Sequence, residues 1–386
     1  MIVSGFSYLA LLIFLSAVIV YSDKVYRLKI YAYLPAIVIL YFLVMLFSTF
    51  GLWQKSVEIT STYKSVKSNL LPAMIFLMLL QADLRKIAKL GKKMLLTFFL
   101  AAGSIGLGFV GMFVLFHTFF ETDAWKAFAA LSGSWMGGTA NMVAIQGALH
   151  VPDAKMGYAL LIDSVDYAIW VMILLALVPL AGRFNRWSGA DSSVIDAVGE
   201  RLEAGRAESV IRFQSLFLLL GTAVAVSALS QWLAPFFPVG NFVTTSTWIV
   251  ILATVAGVLC AMTPLSRVAG SSELGNILLY IIVALIASRA NFSELTQAPL
   301  YIVAGFVIIA IHVALMILSA KLFKLDLFSL GVASLANIGG VASAPILAGA
   351  YSRALIPIGV LMAMAGYILG TFGGLAVGKV LELIAQ

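Results

Sequence analysis

Cysteine occurs once, as Cys260 inside an apolar run, so no disulfide can close within this chain. Charge is scarce too: Asp, Glu, Lys and Arg make up 11% of the residues, too little to cover a soluble globular domain. The three histidines, His117, His150 and His312, are scattered, and no H-E-x-x-H or Cys/His cluster offers metal-ligand spacing. A G-x-x-x-x-G-K-[ST] segment is missing, which argues against ATP-driven work by this chain alone. No arginine repeat of the voltage-sensor kind occurs, and no nucleophile–base constellation suggests an enzyme.

What the chain does hold is apolar surface. Hydrophobic residues reach 62% and mean hydropathy is +1.07, with runs of about 20 apolar residues recurring throughout, each able to cross roughly 30 Å of hydrocarbon. We expect an all-α polytopic membrane protein with spans near 5–21, 30–52, 69–84, 93–117, 125–149, 156–181, 213–235, 244–263, 274–289, 297–319, 327–350 and 353–384. The first, in "MIVSGFSYLALLIFL", lacks a basic flank and a cleavage site and is expected to be a retained helix. The net charge of +7 is then a matter of topology, not of nucleic-acid binding.

One long polar segment, 182–212, divides the chain into an N-terminal membrane repeat (1–181) and a C-terminal one (213–386), and we expect it to be a cytoplasmic linker. The halves correspond. "LSGSWMGGTANM" (Leu131–Met142) matches "LANIGGVASAP" (Leu335–Pro345), each with a double glycine beside small and polar residues. "LLIDSVDYAIW" (Leu160–Trp170) follows the first and "GVLMAMAGYILG" (Gly359–Gly370) the second, aligning Tyr167 with Tyr367. Upstream, "LLQADL" (Leu79–Leu84) faces "LIASRANF" (Leu285–Phe292). Three matches in one order indicate a duplicated fold.

Positive charge bears on whether the glycine-rich segments cross. If each enters and leaves on one face, the inner loops hold 17 of the 24 Lys and Arg residues, chiefly at 24–29, 85–93 and 183–212. If both cross, the inner count falls to 11 of 24, which the positive-inside rule disfavours. Five crossings per half, an odd number, would invert the second half relative to the first, as in secondary transporters whose sites lie where the repeats meet.

Irregular backbone at membrane depth must be buried in protein or line a wet cavity, because lipid cannot satisfy free N–H and C=O groups. The first segment, Ala130–Leu149, holds four glycines with Ser132, Ser134, Thr139, Asn141 and Gln146. We expect Ser134, Gly137, Gly138, Thr139 and Asn141 to contact a solute, with Asn337, Gly339, Gly340 and Ser343 repeating the device; close helix packing by small residues is the plainer alternative. Asp163 and Asp166 share a helix face three residues apart and are the expected coupling-ion residues, since intramembrane carboxylates are costly. Their oxygens suit Na⁺, and a carboxylate pair equally suits H⁺. Asp83 is expected in an interfacial salt bridge with Arg85 or Lys86, Arg289 as a snorkelling external residue, and His312 as a packed one.

At "SGSWMGGTANM" and "DSVDYAIW" the chain resembles the family catalogued as domain of unknown function 819, over nearly its whole length. That family looks distantly similar to sodium-coupled glutamate and citrate symporters and to the cation/proton antiporter and bile-acid symporter group. The resemblance implies two inverted halves, a mobile core carrying the interrupted segments, a scaffold that dimerises and elevator-like movement. Relatives with re-entrant hairpins carry a double glycine in each, as Gly137-Gly138 and Gly339-Gly340 do here; other relatives use broken helices that cross. No arginine stands inside the second glycine-rich segment to hold a carboxylate; Arg353 lies at its end.

The sequence therefore leads us to expect a non-enzymatic secondary transporter of a bacterial inner membrane or plastid equivalent, taking no cofactor. It would be an Na⁺- or H⁺-coupled symporter of an amino acid, organic acid or short peptide, working as a homodimer in the lipid bilayer. The alternative is a cation/proton antiporter; a membrane enzyme or assembly platform is the third reading.

Overall fold

The computed structural model describes residues 1–26, 29–32, 35–54, 56–190 and 210–386. Residues 191–209 of the expected linker, with Arg201 and Arg206, lie outside these, as do Arg27 and Lys55. The first half comprises α1 (Gly5–Tyr21), α2 (Ala36–Thr49), α3 (Val57–Leu79), α4 (Gly91–Phe116), α5 (Ala124–Gly137), α6 (Thr139–Leu149), α7 (Lys155–Leu177) and the short α8 (Ala181–Ser188). The second comprises α9 (Phe213–Leu233), α10 (Thr245–Ala261), α11 (Ser271–Ala287), α12 (Ala298–Phe323), α13 (Leu327–Ile338), α14 (Gly340–Tyr351) and α15 (Ile356–Ala385). Among the described residues no strand forms beyond one isolated bridge, Ile2 to Trp53. Among the described residues, six stretches are long and apolar enough to cross a membrane, and the remaining apolar helices are shorter.

Large apolar side chains cover the outside, among them Phe6, Phe14, Phe217 and Leu318, each more than half exposed. Only a lipid surround makes such a surface stable for one chain. The fold is that of an all-α polytopic membrane protein.

The glycine-rich segments are helical hairpins. A Cβ on Gly133 would lie 2.8 Å from Ile145 Cγ1, and one on Gly331 would lie 3.1 Å from Leu347 Cδ2. Both pairs are symmetric about the turn, so α5 and α6, and likewise α13 and α14, run antiparallel and in contact. The first turn needs glycine because Gly138 has φ +92°, and in the second Gly340 has φ +58°.

The hairpins enter from opposite ends. The base of the first meets Thr247, whose hydroxyl donates to the Ala148 carbonyl (2.9 Å), and Asp153 just beyond it meets Tyr63 and Lys67. α7 starts there and continues through α8 to the base of the second hairpin, where the Leu327 N–H donates to the Asn185 side chain (2.9 Å). Asp326 caps α13 at that base, accepting from the Ser329 N–H (2.7 Å), and pairs with Lys93 (3.1 Å).

Packing sorts the helices into two bundles, each with members from both halves. α1, α2 and α3 pack with α9, α10 and α11; α4 and α7 pack with α12, α15 and both hairpins. α4 and α12 cross closely and antiparallel, with the Ile308 carbonyl oxygen 2.8 Å from where a Cβ on Gly108 would sit. α15 clasps the first hairpin along a glycine seam: a Cβ on Gly374 would approach the Gly133 Cα to 2.9 Å, and one on Gly378 the Ala129 Cβ to 2.9 Å.

The expected boundaries hold for most spans. α2 starts later than expected, at Ala36, after a short 3-10 turn over Lys29–Ala32, and α3 starts earlier, at Val57. That early start follows from Ser56, whose hydroxyl accepts from the Ile59 N–H (3.2 Å) and nucleates a polar first half that composition alone reads as loop.

Candidate functional site

The two hairpin tips meet between the bundles. Both arriving helices, α5 and α13, end there, and both returning helices, α6 and α14, begin there. Carbonyls and N–H groups left unpaired at helix ends thus converge on one region. The tips share α15: a Cβ on Gly366 would lie 3.1 Å from the Met136 carbonyl oxygen and 3.2 Å from that of Ala336.

A cavity of about 250 Å³ opens beside the tips. Ser134, Gly138 and Thr139 of the first hairpin line it, with Gly339, Gly340 and Val341 of the second. Asp163 and Tyr167 of α7 and Tyr367 of α15 complete that side, and Pro35, Asn276 and Tyr280 of the other bundle face them. Among the described residues, no Lys, Arg or His lines it.

α7 begins at Lys155, which places Asp163 about 12 Å and Asp166 about 16 Å along it at 1.5 Å per residue. Asp163 Oδ1 accepts from Ser134 Oγ and from Trp135 Nε1, both at 3.1 Å, so hairpin and helix are joined by one carboxylate oxygen. Asp166 points elsewhere. It is fully buried, neither oxygen has a hydrogen-bond partner among the described residues, and its carboxyl fills the space beside Gly305 of α12.

Of the polar residues singled out in the sequence, Ser134, Thr139 and Asp163 reach the cavity, together with Gly138, Gly339 and Gly340. Gly137 is packed behind the tip, where a Cβ would lie 2.5 Å from the Gly366 carbonyl oxygen. Asn141 braces the turn, donating to the Gly137 carbonyl (2.7 Å) and accepting from Thr371 Oγ1 (2.7 Å). Asn337 is fully buried, donates to the Ala333 carbonyl (2.9 Å), and its side-chain oxygen has no partner among the described residues. Ser343 lies behind the second tip, bonded to the Leu335 carbonyl (3.4 Å) and to Tyr167. Pro345 has no N–H to give the Val341 carbonyl one turn back, so an acceptor on a cavity-lining residue is released from the helix ladder.

Sequence reasoning missed Asn276 and Tyr280, although Asn276 stands as an isolated amide in an otherwise apolar span. Tyr167 and Tyr367 marked the repeat without being assigned to the site. Asp83 pairs with Arg85 (3.0 Å), as expected. Arg289 lies over the Tyr63 ring at 5.6 Å. His312 is packed between Ser104 (2.7 Å, Nδ1) and Ser334 (2.8 Å, Nε2), and Ser334 also accepts from Trp170 Nε1 (2.9 Å).

At one end of the cleft between the bundles, Asp153 gathers donors from both: Tyr63 (2.7 Å) and Lys67 (3.3 Å) from α3, and Gln146 (2.6 Å) from α6. The cavity lies toward the opposite end, beside the start of α2.

The family described as "Protein of unknown function (DUF819)" matches residues 10–384. This chain belongs to the DUF819 family. It is also 25% identical over 332 residues to the "Uncharacterized membrane protein YjcL" of Bacillus subtilis (strain 168), covering 82% of this chain and 83% of that protein. With the apolar helices, this makes the DUF819 chain an integral membrane protein.

Proposed function

We propose that this chain is a secondary active transporter: an Na⁺- or H⁺-coupled symporter of a small polar or anionic organic solute, using elevator-type alternating access. The observation that carries this reading is the convergence of both hairpin tips and Asp163 on one cavity between two bundles. Such a cavity offers helix ends, freed carbonyls and a carboxylate to an ion and a solute together, as discontinuous helices do in secondary transporters. Residues 1–181 and 213–386 act as two halves of opposite orientation, consistent with hairpins that enter from opposite ends.

In this reading Asp163, with Ser134 beside it, holds the coupling ion, and Asp166 tunes or completes that site from behind. Thr139, Asn276 and the turn groups of Gly138, Gly339 and Gly340 contact the solute, while Asn141, Asn337 and Ser343 hold the tips in shape. About 250 Å³ corresponds to the space of roughly eight waters at ~30 Å³ each, which suits a single amino acid or organic acid. Because no cationic side chain among the described residues lines the cavity, an anionic solute would rely on the bound cation and the starts of α6 and α14 for charge balance.

The bundle of α1–α3 and α9–α11 serves as scaffold and dimer interface, and the other bundle moves. The membrane is a bacterial inner membrane or its plastid equivalent, and the chain uses no cofactor and catalyses no covalent reaction. The test is uptake into proteoliposomes of amino acids, organic acids and short peptides under an Na⁺ or a pH gradient. Solute uptake that follows one gradient and is lost in Asp163→Asn and Asp166→Asn supports the symporter; gradient-independent uptake, or none by any solute class, refutes it. The lack of a cationic lining residue favours one second reading, cation/proton antiport, in which Na⁺ or K⁺ alone dissipates a pH gradient.

A further inference from the structure

A second recess, unrelated to the transport cavity, opens on the lipid-facing side between α7, α8, α12 and α13. Its volume is about 470 Å³, and its walls are almost wholly apolar, with Leu174, Leu177, Met316 and Leu330 prominent. Trp170 lies at its deep end; Arg183 and Trp187, on α8, stand at its mouth. From Trp170 to Leu180 the chain advances roughly 15 Å at 1.5 Å per residue, the depth of one leaflet of a ~30 Å hydrocarbon core.

The mouth is basic. Arg183 and Arg186 are exposed and, among the described residues, neither pairs with a carboxylate. Lys321 sits beside them, donating to the Trp187 carbonyl (2.6 Å) with its ammonium 5.2 Å from that indole's centroid. Trp187, 46% exposed, completes the arrangement that marks a headgroup level: an amphipathic indole with arginines at the rim of an apolar slot. The polar groups at the deep end are already satisfied, since His312 and Trp170 both bond Ser334, so the slot asks for hydrocarbon there and negative charge at its mouth.

We propose that this recess is a binding site for an anionic phospholipid, one acyl chain lying along Leu174 and Met316 and the phosphate held by Arg183 and Arg186. Basic pockets between membrane helices recognise acidic headgroups through this combination of charge and depth. One wall is α13, an arm of the second hairpin, so the lipid touches an element that also forms the central cavity. The proposal does not depend on the transport reading, because its test reads lipid binding alone.

The full-length protein, stripped of lipid in detergent, is titrated with phosphatidylglycerol or phosphatidylcholine of identical chains, and native mass spectrometry counts bound lipid. Phosphatidylglycerol should be retained in preference, and Arg183→Gln with Arg186→Gln should remove that preference by about fivefold per arginine, the ~1 kcal/mol a basic residue contributes near an anionic surface. Ile317→Trp, which narrows the slot, should weaken both lipids. Equal retention of the two lipids, or an unchanged preference in the arginine variant, overturns the proposal. So does disulfide cross-linking between chains carrying Ile317→Cys and Cys260→Ser, which would put a second copy over the recess.

Discussion

The ring of Tyr167 occupies the space that a Cβ on Gly339 would need, and the ring of Tyr367 lies against Gly138 in the same way, 3.6 Å from the corresponding Cβ position. Each half of the chain therefore supplies a tyrosine that supports the other half's hairpin tip. Tyr167→Phe should keep the ring contact and lose only the bond to Ser343, whereas Tyr167→Ala should loosen the tip. We expect thermal unfolding to shift little for Phe and by about 1–3 kcal/mol-equivalent for Ala, below the range for a fully buried aromatic ring because Tyr167 is half-buried beside the cavity. Equal shifts would show that the hydroxyl, not the ring, supports the turn.

Asp163→Asn keeps an acceptor for Ser134 and Trp135 while removing the charge. The fold should survive, with unfolding within a few degrees of the parent, and ion-driven uptake should fall at least about tenfold, equivalent to ~1.4 kcal/mol or more of lost coupling. Uptake by proteoliposomes at matched protein content is the measurement, and near-normal uptake would remove Asp163 from the ion site.

Two neighbouring glycines should behave differently. Gly138→Ala meets backbone strain at φ +92° but has room, and should cost about 1–2 kcal/mol. Gly137→Ala has ordinary backbone but drives a methyl group into α15, where the Gly370 Cα would be 2.8 Å away. It should cost more than Gly138→Ala and reduce the yield of folded protein; the opposite order would mean that α15 yields readily.

The ion pair between Lys67 and Asp153 is only 17% and 19% exposed. A double-mutant cycle with Lys67→Met and Asp153→Asn should return a coupling of about 0.5–3 kcal/mol in denaturant unfolding. The same variants should raise the accessibility of Gln146→Cys to a water-soluble thiol reagent. No change in labelling would separate this ion pair from closure of that end of the cleft.

Asp326 is completely buried and serves both as cap of α13 and as partner of Lys93. Asp326→Ala removes the cap and the partner of Lys93, whose side chain is 36% exposed and can turn to solvent, and should cost about 1–3 kcal/mol by thermal denaturation. Asp326→Asn, which can still cap, should cost clearly less.

Much of this was legible in the sequence. Apolar runs located the helices, and the double glycines located the turns, because a reversal at membrane depth needs residues without a Cβ. The charge count favoured hairpins over crossing segments, and the arms of each segment are in antiparallel contact, Gly133 with Ile145 and Gly331 with Leu347. Side-chain direction was not legible. Asp163 and Asp166 lie on one side of α7, yet a rotation of about 60° between them, three residues at 3.6 per turn, sends one to the cavity and the other to Gly305. Asn141 and Ser343 looked like ligands because they are polar beside a turn, but bracing a turn requires the same residue types. Asn276 was overlooked because it belongs to the other bundle, and no local pattern announces a contact made across a cleft.

Gly366 touches the carbonyls of Met136 and Ala336 through one helix surface, so the two tips rest on a common fulcrum. A hairpin that swung away alone would have to tear its backbone from α15 and leave carbonyls facing hydrocarbon. In the transport reading proposed above, the softer coordinate is the sliding of one whole bundle past the other, along a boundary whose polar fasteners gather near Asp153. Under that reading, substitutions along this boundary should change the rate more than those at the glycine turns themselves.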